Sequence, residues 1–115
     1  MIIRDMIVHT YDIEVFVNCF HCCCKNTETG KVIKFEISER RNQLAELVDF
    51  FFYSLDNKMF CGYNNHHYDD VIINYMIDLF YKLNQLPYWK ICRSLYNLST
   101  TIVNSEYGNI DKFKK

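Results

Sequence analysis

Three carboxylates at two places in the chain have the types and spacing that metal-dependent chemistry requires. Asp12 and Glu14 lie two residues apart in an apolar, strand-like run, and Asp69 follows Asn65 and Tyr68 where a helix is predicted to begin. Side chains two apart on a strand point to the same face. Two neighbouring carboxylates repel each other unless a cation lies between them. Because magnesium and manganese prefer hard oxygen ligands, these residues predict a divalent-cation site.

The elements that must position these carboxylates can be predicted from hydrophobic patterning. Three strands come first, and the third alternates apolar and charged residues, as a half-buried strand does. Turn residues at 26–30 predict an antiparallel hairpin between the second and third strands. The residues at 15–17 fit either a tight turn between the first two strands or one long kinked strand. The predicted strands span residues 6–15, 16–25, 31–37 and 58–63.

Helical spacing of apolar residues predicts the remaining elements. Two helices are expected over residues 42–55 and 69–83, and a third begins with Pro87 in its first turn. The apolar pattern fades after Ser99, so residues 99–115 are expected to form a poorly ordered tail. A hairpin followed by strand–helix units predicts an α/β fold with a mixed sheet, in a single domain over residues 1–115.

Composition limits the class of protein. The 115 residues are 50% hydrophobic and 17% aromatic, which is sufficient for a packed core. The formal net charge of −1 argues against binding nucleic acid mainly through bulk positive charge. No apolar run approaches the roughly 20 residues of a membrane-spanning helix. Six cysteines without disulfide-like spacing indicate reduced thiols, so we expect a cytoplasmic protein that does not bind membranes.

The two motifs together resemble a known family. Asp12-Ile13-Glu14 on a first strand, with Asn65-His66-His67-Tyr68-Asp69 at a strand-to-helix junction, is similar to the 3′→5′ exonuclease domains of the DEDD superfamily. The most similar members are the proofreading domains of bacteriophage-type, family B-like DNA polymerases. The resemblance covers roughly residues 5–85 and implies a ribonuclease H-like fold.

The resemblance also implies roles for individual residues. Asp12, Glu14 and Asp69 would be the catalytic carboxylates and would hold two Mg²⁺ or Mn²⁺ ions. Such ions activate a water molecule and bind the scissile phosphate. Three further residues would contact the nucleic acid, which in this family is the 3′ end of single-stranded DNA. They are Ile13, Asn65 and Tyr68. The remainder of a polymerase polypeptide is the second expected partner.

A complete site of this family has a fourth carboxylate, in a Tyr-x-x-x-Asp pattern on a late helix. Tyr107 and Asp111 match that pattern in sequence, but they follow Asp69 closely and Gly108 weakens a helix. The resemblance therefore favours a chain that is the N-terminal portion of the domain, incomplete at its C-terminus. Weak or no activity in isolation is expected from such a portion.

Two other functions remain open. An exonuclease-like module without catalysis could bind another protein through apolar surface left by missing strands. A small zinc protein could use Cys19 and Cys22 with His66 and His67, although zinc-binding thiols usually lie on a tight knuckle and not on a strand. In either case Asp12 and Glu14 would be ordinary surface carboxylates.

Overall fold

The computed structural model describes residues 6–53, 57–62 and 68–114, and for residues 105–114 it describes the backbone only. The elements follow the predicted order of three strands, a helix, a strand and further helices. The strands are β1 (Ile7–Phe16), β2 (Cys19–Asn26), β3 (Val32–Ile37) and β4 (Lys58–Gly62). The helices are α1 (Leu44–Val48), a π-helical turn (Asp49–Tyr53), α2 (Tyr68–Asp78), α3 (Phe80–Leu83) and α4 (Tyr88–Lys114).

The four strands form one mixed sheet in the order β3-β2-β1-β4. β1 pairs antiparallel with β2 and parallel with β4, so it lies inside the sheet. Asp12 and Glu14 both lie on β1. A turn at Val17 and Asn18 separates β1 from β2, which decides between the two alternatives that the sequence left open. The α/β fold with a mixed sheet is therefore confirmed.

The predicted hairpin between β2 and β3 is confirmed. The Asn26 side-chain oxygen accepts the backbone N–H groups of Glu28 and Thr29, at 2.9 and 3.2 Å. Gly30 closes the turn with a φ of +76°, a left-handed conformation that favours glycine.

The sheet has an apolar face covered by the helices and a polar face, which we call the outer face. The outer face is formed by the alternate residues of β1, β2 and β3 that include Asp12, Glu14, His21 and Lys34. The opposite face supplies the core with β-strand residues such as Phe20, which is fully buried. The helical part of the core comprises Leu44, Leu47, Val48, Ile72, Ile73, Met76, Leu83, Ile91, Cys92 and Leu95.

The helix predicted over residues 42–55 is α-helical for only five residues and then continues as a π-turn. A π-turn holds one more residue per hydrogen-bonded ring than an α-helix does. In this chain the π-turn contains four consecutive aromatic residues, at positions 50–53. Phe50 and Phe51 both pack against Phe60 of β4, with ring centroids 5.6 and 4.4 Å away. Phe52 and Tyr53 remain exposed.

The later helices also differ in their limits from the prediction. Leu79 departs from helical angles, with φ −107° and ψ 19°, and separates α2 from α3. The backbone of α4 stays helical to Lys114, through the segment that the sequence predicted to be a poorly ordered tail. Across the described ranges, none of these helices combines the length and the apolar character needed to span a membrane.

Candidate functional site

Asp12 and Glu14 lie where the sequence predicted, side by side on the outer face of β1. Both side chains are exposed, whereas the intervening Ile13 is only 6% exposed and packs in the core. Across the sheet, Asp12 is paired with Cys23 and Glu14 with His21. The strand alternation therefore presents the two carboxylates together to solvent, as the predicted metal site requires.

Asp69 lies in the first turn of α2 and is only 2% exposed. Its Oδ2 atom is buried and has no hydrogen-bond partner within the part of the chain that the structure describes. Burial raises the pKa of this carboxyl to about 6, and the charges of Asp12 and Asp70 contribute to the rise. Asp12 on β1 and Asp69 on α2 are therefore close enough for their charges to interact, and among the described residues Asp69 Oδ2 has no hydrogen-bond partner.

A hydrogen bond between β1 and α2 positions the first turn of α2. The Tyr11 hydroxyl donates to Asp70 Oδ1, and Tyr11 itself is 3% exposed. Because Tyr11 precedes Asp12 and Asp70 follows Asp69, this bond connects the two segments that carry the carboxylates. Burial and the bond to Asp70 raise the pKa of Tyr11 well above its usual range. Sequence reasoning missed this pair, since nothing in a single sequence links residues that are 59 positions apart.

A second charged group lies on the outer face, two strands away from Glu14. Glu36 of β3 accepts two hydrogen bonds from the Arg40 guanidinium, at 2.6 and 3.1 Å, and one from the Ser38 hydroxyl. These hydrogen bonds, with Arg40 as the main cause, lower the pKa of Glu36 to about 2. His21 of β2 stands between Glu14 and Glu36, with its Nε2 atom 3.9 Å from a Glu36 oxygen.

Asp12 and Glu14 border a cavity over the outer face. Its volume is about 320 Å³, and its lining includes Asp12, Glu14, His21, Cys23 and Lys34. Within residues 6–53, 57–62 and 68–104, no three His, Cys, Asp or Glu side chains come close enough together to hold a metal ion. Among the described residues, Asp12, Glu14 and Asp69 therefore do not form a group of three, and Asp69 is not one of the residues that line this cavity.

The remaining predicted site residues lie in contacts between helices, in the core or outside the described part of the chain. The Tyr68 hydroxyl lies 2.6 Å from the Ser99 hydroxyl, so Tyr68 connects α2 to α4. The buried Ile13 side chain does not reach the surface. Asn65 lies outside the described residues, and so do the side chains of Tyr107 and Asp111, although the backbone of both is helical. The contacts predicted for these three side chains stay predictions.

The cysteines do not form the zinc set considered from the sequence within the described residues. Cys19 belongs to the outer face of β2, whereas Cys22 is buried on the helix-covered face. The Sγ atoms of Cys22 and Cys24 are 3.8 Å apart in the core, and both cysteines are free thiols. His66 and His67 lie outside the described residues. A strand that places Cys19 and Cys22 on opposite faces does not supply two thiols to one ion.

Comparison of the chain with protein-family models, with curated proteins and with solved structures found no significant match.

Proposed function

We propose that this chain is part of a divalent-metal-dependent 3′→5′ exonuclease domain of the type found in DNA polymerases. It would hydrolyse phosphodiester bonds at the 3′ end of single-stranded DNA. The observation that supports this function most strongly is the buried Oδ2 of Asp69, which has no hydrogen-bond partner among the described residues and belongs to a carboxyl whose pKa is raised by burial and by Asp12. A buried acceptor without a partner costs about 1–3 kcal/mol, and a bound cation removes that cost.

The strand arrangement also supports a ribonuclease H-like fold for this domain. Three antiparallel strands are followed by a fourth strand that pairs parallel to the first, and α2 comes after that strand. The sequence resemblance implies this kind of arrangement. It gives the central strand the Asp-x-Glu motif and gives the first turn of α2 the third carboxylate.

The residues present suit a hard cation. Asp12 and Asp69 would hold the ion between them, and Glu14 would join after a change of side-chain conformation. A bound Mg²⁺ or Mn²⁺ ion would supply an activated water and would stabilise charge on the phosphate. The chain itself contributes the position of the carboxylates, because β1 fixes Asp12 and Glu14 and the Tyr11–Asp70 bond fixes the start of α2. Tyr107 and Asp111 match the family's fourth motif in sequence, and their side chains lie outside the described residues.

The experiment is a nuclease assay with a single-stranded DNA labelled at its 5′ end, so that shortening from the 3′ end is visible as a ladder. We expect slow degradation with Mn²⁺ or Mg²⁺, none with EDTA, and at least a 100-fold loss in Asp12→Ala. Glu28→Ala, an exposed acid in the β2–β3 turn, is the matched control and should retain the activity. Degradation that survives EDTA or Asp12→Ala would contradict the proposal.

Absence of turnover is separated from absence of a site by measuring the metal directly. Calorimetric titration with MnCl₂ should give binding to the wild-type chain that is lost in both Asp12→Ala and Asp69→Asn. A chain that neither degrades DNA nor binds Mn²⁺ would refute the exonuclease assignment. Mn²⁺ binding without turnover would support the metal site, since weak or no turnover is expected of a domain that lacks the fourth carboxylate.

A second candidate function is a non-catalytic module that binds another protein, and exposed aromatic side chains favour it. Phe52, Tyr81 and Trp89 are 60%, 76% and 50% exposed on the π-turn, α3 and α4. Aromatic side chains are enriched in the contacts that proteins make with one another. Light scattering distinguishes this candidate, because a defined oligomer that is lost in Phe52→Ser supports it and a stable monomer argues against it.

A further inference from the structure

A basic cavity adjoins the one that Asp12 and Glu14 border, and the proposed metal site does not use it. Its volume is about 310 Å³, and it is bordered by β2, β3 and the segment between β3 and α1. Positive charges outnumber negative ones in its lining. The cations are Lys34, Arg40 and Arg41, and the carboxylate is Glu36.

Two of these cations are available to an anionic ligand. Lys34 and Arg41 are exposed, and within the part of the chain that the structure describes neither side chain has an ion-pair partner or a hydrogen bond. A lysine ammonium is a point charge on a flexible stem, so Lys34 can turn toward a ligand without breaking a contact. Their two charges are therefore not neutralised by a described neighbour.

The third cation is already oriented. The Arg40 guanidinium donates from Nε and Nη2 to the Glu36 carboxylate, at 3.1 and 2.6 Å, and its side chain is 72% exposed. A guanidinium has five N–H donors, so three remain for another acceptor. Gln43 is held similarly, because its Oε1 accepts the backbone N–H of Glu36 at 3.0 Å and leaves the amide group as a donor. Phosphate oxygens accept hydrogen bonds of both kinds.

The basic cavity is continuous with the carboxylates. His21 and Lys34 line both cavities, so the two share a border on the outer face. Glu14 on β1 pairs with His21 on β2, and His21 pairs with Glu36 on β3. Because neighbouring strands lie about 4.8 Å apart, β3 is roughly 10 Å from the carboxylates of β1. An extended nucleic acid whose 3′ end lies at Asp12 and Glu14 can therefore place a preceding phosphate over β3.

We propose that the basic cavity of Lys34, Arg40 and Arg41 binds a backbone phosphate of the single-stranded substrate, upstream of its 3′ end. This inference rests on the proposed exonuclease function, which supplies the identity of the strand and its direction. The cations neutralise the phosphate charge, and Arg40 and Gln43 donate hydrogen bonds to its oxygens. Contacts of this kind position a nucleic acid without reading its sequence. The bound phosphate holds the strand so that its last phosphodiester bond lies at the carboxylates.

Fluorescence anisotropy measures this binding without turnover, with a 5′-labelled oligothymidine of about eight nucleotides and with EDTA to prevent cleavage. A single strand releases about 0.7 counterion per phosphate contact, so in about 50 mM salt the loss of one contact should weaken binding roughly eightfold. We expect losses of this size in Lys34→Gln and Arg41→Gln. The slope of log K against log salt should become less negative by about 0.7 in each variant. Lys31→Gln, an exposed lysine between β2 and β3 outside the lining, is the matched control and should leave both quantities unchanged.

The result that would overturn the inference differs from the one that would overturn the proposed function. Equal binding in Lys34→Gln, Arg41→Gln and Lys31→Gln would place the strand elsewhere, and no binding by the wild type up to about 1 mM would exclude the site. Inorganic phosphate at the same concentration of phosphate groups should compete weakly, and complete displacement of the strand would show a site for free phosphate instead. A chain that binds the strand as expected in EDTA but neither degrades DNA nor binds Mn²⁺ would refute the exonuclease assignment and leave the phosphate-binding cavity established.

Discussion

Replacing Asp69 by asparagine should stabilise the folded chain near neutral pH while it removes metal binding. Folding buries the Asp69 carboxyl, and burial together with the charges of Asp12 and Asp70 raises its pKa from 3.8 to about 6. At roughly 1.4 kcal/mol per pKa unit, this rise corresponds to a cost of about 3 kcal/mol when the group is ionised. An ionised acid in the first turn of a helix contributes about 0.3–1 kcal/mol in the opposite direction. The asparagine variant should therefore be more stable by about 2 kcal/mol at pH 7.5.

The pH dependence follows from the same pKa. The folded state holds the Asp69 proton more tightly than the unfolded state does, so this group costs stability as pH rises from about 4 through 6. Above that range the cost is complete, and below about pH 4 it is absent. The advantage of Asp69→Asn should accordingly be largest at pH 7.5 and should disappear near pH 4. Asp12→Asn removes only the repulsion from Asp12 and should give a smaller gain.

Urea unfolding followed by circular dichroism, with and without MnCl₂ and at several pH values, measures these quantities. Mn²⁺ at about 100 times its dissociation constant should stabilise the wild type by about 2.7 kcal/mol and Asp69→Asn by nothing measurable. Glu46→Gln, at an exposed acid on α1, is the control for charge removal and should show neither effect. If Asp69→Asn is less stable than the wild type at pH 7.5 without metal, the ionised carboxylate stabilises the fold and the reasoning is wrong.

Two further predictions concern the polar contacts around the site. Tyr11→Phe removes the hydrogen bond to Asp70 and should lower the free energy of unfolding in urea by about 1.5–3 kcal/mol. Backbone amides in the first turn of α2 should then exchange their hydrogens faster. Unchanged exchange there would show that the bond does not hold the helix. Arg40→Gln should raise the pKa of Glu36 from about 2 toward 4.5, as followed by NMR titration of its side chain. In the wild type the Glu36 contribution to stability is present above pH 4.5 and is lost as the pH falls toward 2. The variant should lose less stability over that interval, and an unchanged Glu36 pKa would contradict the role of Arg40.

The local pattern of the chain predicted the strands and the β2–β3 hairpin. Alternation along residues 31–37 predicted a half-buried strand, and the two-residue spacing placed Asp12 and Glu14 together on one face, because side-chain direction along a strand depends only on position. Asn26 and Gly30 predicted the hairpin through local hydrogen bonding and a positive φ. The order of elements was likewise predictable, since each helix and strand carries its own hydrophobic period.

The limits of the helices were less predictable because tertiary packing decides them. The sequence predicted one continuous helix through Phe50 and Phe51, but both rings pack on Phe60, and the backbone there is π-helical. A helical period describes one element in isolation. It contains no information about the aromatic surface of β4, against which this helix must pack.

The candidate site, like the fold, was predictable in part from the sequence and in part only from the tertiary structure. The sequence by itself determined which carboxylates could bind a metal and which two share a face, because both properties come from residue type and strand alternation. Only the tertiary structure decided that Asp69 is buried with no partner for Oδ2 among the described residues, that Tyr11 bonds Asp70, and that Tyr68 bonds Ser99. These facts join residues that are tens of positions apart. Burial, desolvation and charge repulsion depend on distances in space, which a single sequence does not contain.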